Sequence, residues 1–126
     1  MISPKSIQDV KIDGNGTLTA AEALAALRLA DEAAKAAKRD ALRLCETQEE
    51  RCKVLSDCID CSLAYTSALQ KSLKLTGPLF EQTAKELREA ANEVTKKSKQ
   101  LTRAADAVKL LTQAVKLAKS LSGAFA

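Results

Sequence analysis

Histidine and tryptophan are absent from this chain, aromatic residues make up 2% of it, and only four glycines and two prolines occur in 126 residues. Without histidine the chain has no imidazole to act as general base, metal ligand or switch near neutral pH, so His-based catalytic triads and His-containing zinc sites are excluded. The shortage of aromatic rings removes the stacking platforms on which single-stranded nucleic acid is held. There is also no uninterrupted apolar run of the roughly 18 residues needed to cross a bilayer, and no apolar run of signal-peptide length at the start. These absences point to a soluble, cytoplasmic chain, although an exported chain whose leader had been removed would read the same way.

The placement of the six breakers says more than their number. They occupy positions 4, 14, 16, 77, 78 and 123, so residues 17–76 and 79–122 contain neither glycine nor proline. Those two stretches are rich in Ala, Leu, Lys and Arg, the strongest helix formers, and the expected class is all-α. Residues 1–19 form a leader and turn, and residues 20–126 the helical domain.

Thr19-Ala20-Ala21-Glu22 fits a capping box, in which the threonine hydroxyl and the glutamate carboxylate each accept a backbone N–H of the other. A helix is therefore expected from about Ala20. A second match, Thr47-Gln48-Glu49-Glu50, could restart the chain after Glu46. Helical phase argues for continuity instead: Leu27, Ala30, Ala34, Ala37, Ala41, Cys45, Cys52, Leu55, Ile59 and Leu63 form one stripe interrupted only by Gln48. One helix from about 20 to 75 would be about 80 Å long. Gly77 would then end it in a left-handed cap, with Pro78 opening the next helix.

After that turn, Phe80, Leu87, Val94, Leu101, Val108 and Val115 recur every seven residues. This is a coiled-coil ladder, accompanied by small residues (Ala84, Ala90, Ala91, Ala104, Ala105, Ala118) that allow close approach, with one softer layer at Lys97 and Ser98. The ladder is a candidate interface. Two long helices joined by so short a turn run antiparallel, and one such hairpin cannot enclose a core. The segment 52–73 is apolar on a second side as well, at Cys58, Cys61, Tyr65, Ala68 and Leu69. That leaves a narrow polar wedge of Lys53, Asp57, Asp60 and Lys71. The expected architecture is a long hairpin that dimerises into a four-helix bundle. The alternative is a monomeric three-helix bundle with a turn near residues 46–50.

Two local patterns carry possible chemistry. Residues 11–22, Lys-Ile-Asp-Gly-Asn-Gly-Thr-Leu-Thr-Ala-Ala-Glu, resemble the calcium loop of the EF-hand family, with Asp13, Asn15, Thr17, Thr19 and Glu22 at its third, fifth, seventh, ninth and twelfth positions and Gly16 at the turn glycine. The first position is Lys11, where the family has an aspartate. The resemblance implies a weak or remodelled Ca²⁺ site at Asp13, Asn15, the Thr17 carbonyl and Glu22. The same residues also read as a turn leading into a capped helix.

The four cysteines, at 45, 52, 58 and 61, lie within 17 residues of one another. Cys58 and Cys61 are one helical turn apart, so the pair could share a soft ion such as Zn²⁺ or Cu(I), act in redox chemistry, or simply pack as small core residues. If the chain turns at 46–50, Cys45 and Cys52 flank the turn and could form a disulfide.

Residues 96–126 carry seven basic side chains against one acid, Asp106, while the earlier part of the breaker-free stretch that begins at residue 79 carries Glu81, Glu86, Glu89 and Glu93. Acid at a helix start and base at its end follow the helix dipole, so a solvated charged face explains the pattern without nucleic acid. Residues 101–125 are amphipathic and lysine-rich, as a membrane-surface helix would be. Their apolar face continues the upstream ladder, which argues for a partner helix instead. No phosphate-binding glycine loop and no paired acids at catalytic spacing are present, so the expected role is a structural or protein-interaction module, not an enzyme.

Overall fold

The computed structural model describes residues 17–126. Four helices run α1 Ala20–Leu44, α2 Gln48–Leu69, α3 Pro78–Lys97 and α4 Ala104–Ser122. The all-helical class is as expected, but each of the two long helices is divided, so the four helices of the bundle come from one chain. The hairpin and the three-helix alternative both give way to this arrangement.

The first division has a local cause. Cys45 leaves the helical region at φ −70°, ψ 130°, and the second capping box forms at once. Thr47 Oγ1 accepts from the Glu50 amide at 3.1 Å, while Glu50 Oε1 accepts from the amides of Thr47 at 3.1 Å and Glu46 at 2.9 Å. Two of the orphan N–H groups that a new helix start creates, those of Thr47 and Glu50, are thereby satisfied, along with the Glu46 amide just before the cap.

The restart also changes the helical phase. The α1 half of the stripe, from Leu27 to Cys45, is buried as expected. In α2 the buried positions are Val54, Asp57, Cys58, Cys61, Ala64 and Ala68, which is largely the second side, whereas Leu55, Ile59 and Leu63 are turned to the surface.

The second division falls at 98–103 and begins inside the polar run Thr95–Lys96–Lys97–Ser98–Lys99–Gln100. With nothing apolar to bury after Val94, packing gives the last residues of α3 no support and the helix stops at Lys97. The Gln100 amide donates to the Lys97 carbonyl at 2.9 Å, and Arg103, at φ −127°, caps α4 and pairs with Asp106 at 3.3 Å.

The α2–α3 link differs from expectation too. Helix α2 ends at Leu69, not near 75, and Gly77 sits at φ −69°, an ordinary extended N-cap, not a left-handed C-cap. The reason is the tail after α4. Ser72 and Ala126 exchange both backbone hydrogen bonds (3.1 and 2.9 Å), and the amides of Lys74 and Leu75 donate to the Ala124 carbonyl. Leu73 pairs with Phe125 across this short antiparallel bridge. The Leu18 amide donates to the Thr76 carbonyl at 2.9 Å, bringing the start of α1 to the same end. One end of the bundle therefore gathers the starts of α1 and α3 with the ends of α2 and α4, and the connections 45–47 and 98–103 lie at the other.

Around the bundle the neighbours are α1–α2, α2–α4, α4–α3 and α3–α1. Of the two diagonals, α1 and α4 touch while α2 and α3 do not. The alanines Ala23, Ala26, Ala30, Ala33, Ala34, Ala37 and Ala41 line the buried face of α1, and Ala107, Ala114 and Ala118 are buried on α4. Side chains this small let two backbones approach along one diagonal, which pushes the other pair apart. Leu18, Leu27, Leu87, Leu111 and Leu121 fill the remaining space.

Candidate interaction face

The heptad ladder closes on its own chain. Leu87, Val94 and Val115 are buried, and Phe80, Leu101 and Val108 are half-buried against the same core. Leu101 now lies in the α3–α4 connection, not on a helix. The apolar face of α4, read from sequence as facing a partner helix, faces α1, α2 and α3.

What the bundle leaves uncovered is the outer face of α2. Leu55, Ile59 and Leu63 are 38%, 58% and 58% exposed. Four-residue spacing puts them on one side of the helix, directly away from Val54, Cys61 and Ala68. The exposed positions on the same face are Gln48, Cys52, Ser56, Thr66 and Gln70, so the stripe itself carries no charge, and exposed Glu49 and Arg51 flank its first turn. Thr66 Oγ1 already donates to the Ser62 carbonyl of its own helix at 2.9 Å, which uses up its donor locally.

The other three helices present ordinary solvated faces. On α1 these are Arg28 and Glu32, paired at 2.9 Å, with Lys35, Lys38, Arg39 and Arg43. On α3 they are Glu86, Glu89, Lys96 and Lys97, and on α4 Lys109, Lys116 and Lys119. Scattered surface leucines are normal, but three large aliphatic residues aligned along an uncharged helix face are not. A smaller exposed group, Leu69, Leu75 and Leu79, lies at or beside the α2–α3 link.

Buried polar contacts hold α2 in the orientation that exposes this stripe. Asp57, expected on a polar wedge, is only 1% exposed. Its Oδ2 accepts from Thr112 Oγ1 of α4 at 2.9 Å. Its Oδ1 lies 3.1 Å from Lys53 Nζ, an ion pair without the alignment of a hydrogen bond. Lys119 of α4 pairs with Asp60 at 3.1 Å, and Ser122 Oγ donates to the Ala64 carbonyl at 3.2 Å. Nothing in the sequence signals the Asp57–Thr112 contact, since 55 residues separate the partners.

The cysteines are all free thiols. Cys58 and Cys61 are both buried, and Cys58 Sγ donates to the Ala34 carbonyl of α1 at 3.5 Å. Burial, reinforced by the Cys58 thiol and by Asp57, Asp31 and Asp60, pushes the Cys61 thiol up to about 12, and burial likewise raises Cys58. Thiols held protonated in this way are poor nucleophiles and poor metal ligands. Among the described residues no group of three or more Cys, Asp or Glu side chains is arranged to hold a metal ion. Cys45 is buried with its thiol donating to the Ala41 carbonyl at 3.3 Å, whereas Cys52 is exposed on α2, so the turn does not bring them together as a disulfide.

Of the calcium-like loop, Asp13 and Asn15 lie outside the described residues. Thr17 is exposed ahead of α1, and Glu22 is buried with Oε1 accepting from the Thr19 amide at 2.9 Å, while Thr19 Oγ1 accepts from the Glu22 amide at 3.2 Å. The capping box read from sequence is thus formed, and the carboxylate a calcium loop would use at its last position is engaged in it.

No helix among the described residues is long and apolar enough to cross a membrane. Comparison with protein-family models, curated proteins and solved structures finds no match for this chain.

Proposed function

We propose that the protein is a non-enzymatic helical scaffold that binds another protein through the outer face of α2. The observation that carries this reading is the uncharged stripe Leu55–Ile59–Leu63 on a bundle whose other outer faces are charged. An exposed apolar helix face of this length is the complement of a second amphipathic helix, with aliphatic side chains at four-residue spacing seating between those of the partner. The recognition surface is thus moved from the ladder Phe80–Leu87–Val94–Leu101–Val108–Val115, which serves this chain's own core, to α2.

The test is to place a photo-crosslinking amino acid at Ile59, and in a control at Lys109, and to irradiate cells producing each variant. Protein adducts are expected from position 59 and not from 109. Absence of any adduct at 59, with the folded protein present, refutes the reading.

A further inference from the structure

The exposed leucines at the α2–α3 link form a second uncovered apolar patch, and the chain itself passes beside it. The Leu18 amide donates to the Thr76 carbonyl at 2.9 Å, with Leu75 one position before Thr76 and Leu79 three after it. In the ring of helices α1 lies between α2 and α3, so its start is flanked by the end of α2, which carries Leu69, and by the start of α3, which carries Leu79. Leu69, Leu75 and Leu79 are 51%, 50% and 73% exposed. They stand around the point from which the chain leads back into residues 1–16, which lie outside the described residues. We infer that residues 7–13 of this same chain cover these leucines.

The first support is complementarity of composition. Residues 7–13 read Ile7-Gln8-Asp9-Val10-Lys11-Ile12-Asp13, three aliphatic side chains with two acids and one base. The link 70–77 carries Lys71 and Lys74 and no acid. Both lysines are exposed, and neither forms an ion pair among the described residues. Aliphatic burial supplies the attraction, and Asp9 and Asp13 opposite Lys71 and Lys74 select the surface. The α2 stripe, being uncharged, offers aliphatic side chains without those countercharges and is the poorer match.

The second support is reach. Ile12 is six residues from Leu18 and Val10 is eight, at most about 20 Å and about 28 Å of extended chain. Neighbouring helix axes in a bundle are about 8–10 Å apart, so both side chains reach the leucines on either side of α1. Tethering makes the contact intramolecular, at an effective concentration on the order of millimolar. A contact too weak to hold a separate peptide is then populated at any protein concentration.

Methyl–methyl NOEs in the full-length chain, which require near van der Waals approach, test the inference. Cross-peaks are expected from Val10 and Ile12 to Leu75 and Leu79, and their intensity per labelled chain should be unchanged when labelled protein is mixed with excess unlabelled protein. Lys71→Glu with Lys74→Glu should remove them, and circular dichroism should stay the same because both side chains are exposed. Asp9→Lys with Asp13→Lys should remove them without altering the bundle, and the four substitutions together should restore them. With the bundle's own cross-peaks intact, four results would each overturn the inference: no peak between the two segments, peaks from Val10 and Ile12 to Leu55, Ile59 or Leu63 instead, loss of the peaks on mixing with unlabelled chain, and peaks that survive either charge reversal.

Discussion

Thr112→Val isolates the one side-chain hydrogen bond to a carboxylate among the contacts that orient α2. Valine has nearly the shape of threonine, so the substitution opens no cavity and forces no overlap, and what it removes is the 2.9 Å hydrogen bond from Thr112 Oγ1 to Asp57 Oδ2. At 1% exposure the carboxylate has no route to replacement water, and Lys53 approaches the other oxygen without hydrogen-bond alignment. A hydrogen bond to a buried charged acceptor contributes about 1.5–3 kcal/mol. A loss of about 2 kcal/mol is expected in urea unfolding followed at 222 nm, with a fall in Tm of about 8 °C for a chain of this size. Ser122→Ala is the control. It removes a hydroxyl that donates to a helix carbonyl at 3.2 Å and should cost no more than about 1 kcal/mol. A double-mutant cycle with Asp57→Ala should show most of the Thr112→Val effect gone once the carboxylate is absent. A Thr112→Val loss below about 0.5 kcal/mol, or strict additivity in the cycle, would refute the assignment of Asp57–Thr112 as a contact that fixes α2.

Thiol chemistry should separate one cysteine from three. In the native protein a thiol reagent such as dithionitrobenzoate should titrate Cys52 rapidly and reach Cys45, Cys58 and Cys61 only on unfolding, and two or more fast thiols would contradict their burial. The folded-state value of Cys61 is raised above its ordinary value of about 9, so the stability of the protonated thiol is fully present below that pH and is lost as pH climbs toward about 12. Alkaline destabilisation should accordingly be smaller in Cys61→Ala than in the wild type. At the acid end, hydrogen bonds from the Glu46 and Thr47 amides hold the Glu50 carboxyl below its ordinary range. Its capping contribution is complete above that ordinary range and is lost as pH falls through the lowered value. Protection of the amides at the start of α2, taken relative to their intrinsic exchange rate at each pH, should therefore fall in acid, and Glu50→Gln should blunt that dependence.

Composition alone was enough for the helical class, and the capping boxes at Thr19 and Thr47 were both legible as local chemistry. The apolar spacing from Leu27 to Leu63 continues in helical phase through the sequence across the Thr47 box, but the structure breaks that phase, burying the half from Leu27 to Cys45 and exposing Leu55, Ile59 and Leu63. The break itself is local, made by the Thr47 capping box, whereas the rotation of α2 is nonlocal: Cys58, Cys61 and Ala68 are buried, Cys58 reaches the Ala34 carbonyl of α1, and Asp57 reaches Thr112 of α4. The break at 98–103 was visible as the softer layer at Lys97 and Ser98, but the unbroken seven-residue spacing through Leu101 concealed its depth. The end of α2 at Leu69 depends on residues 124–126 supplying the hydrogen bonds of the segment Ser72–Leu73–Lys74–Leu75, a pairing between residues some fifty positions apart that local pattern does not signal. The ladder residues were correctly read as apolar and packing. Whether their partner was the same chain or another could not be told from periodicity, because both offer identical contacts.

The alanine-lined diagonal between α1 and α4 determines how this bundle can respond to disturbance. Most protein cores accommodate a changed neighbour by switching side-chain rotamers, but alanine has none to switch. Along α1, any adjustment must come from the backbone, as one helix sliding or tilting against another. Such a movement cannot stay local, because α1 touches all three other helices. A ligand or partner that displaced α2 by a fraction of an ångström would pass that shift to α4 directly and to α3 through an α1 face on which Leu27 is the one large side chain fully buried.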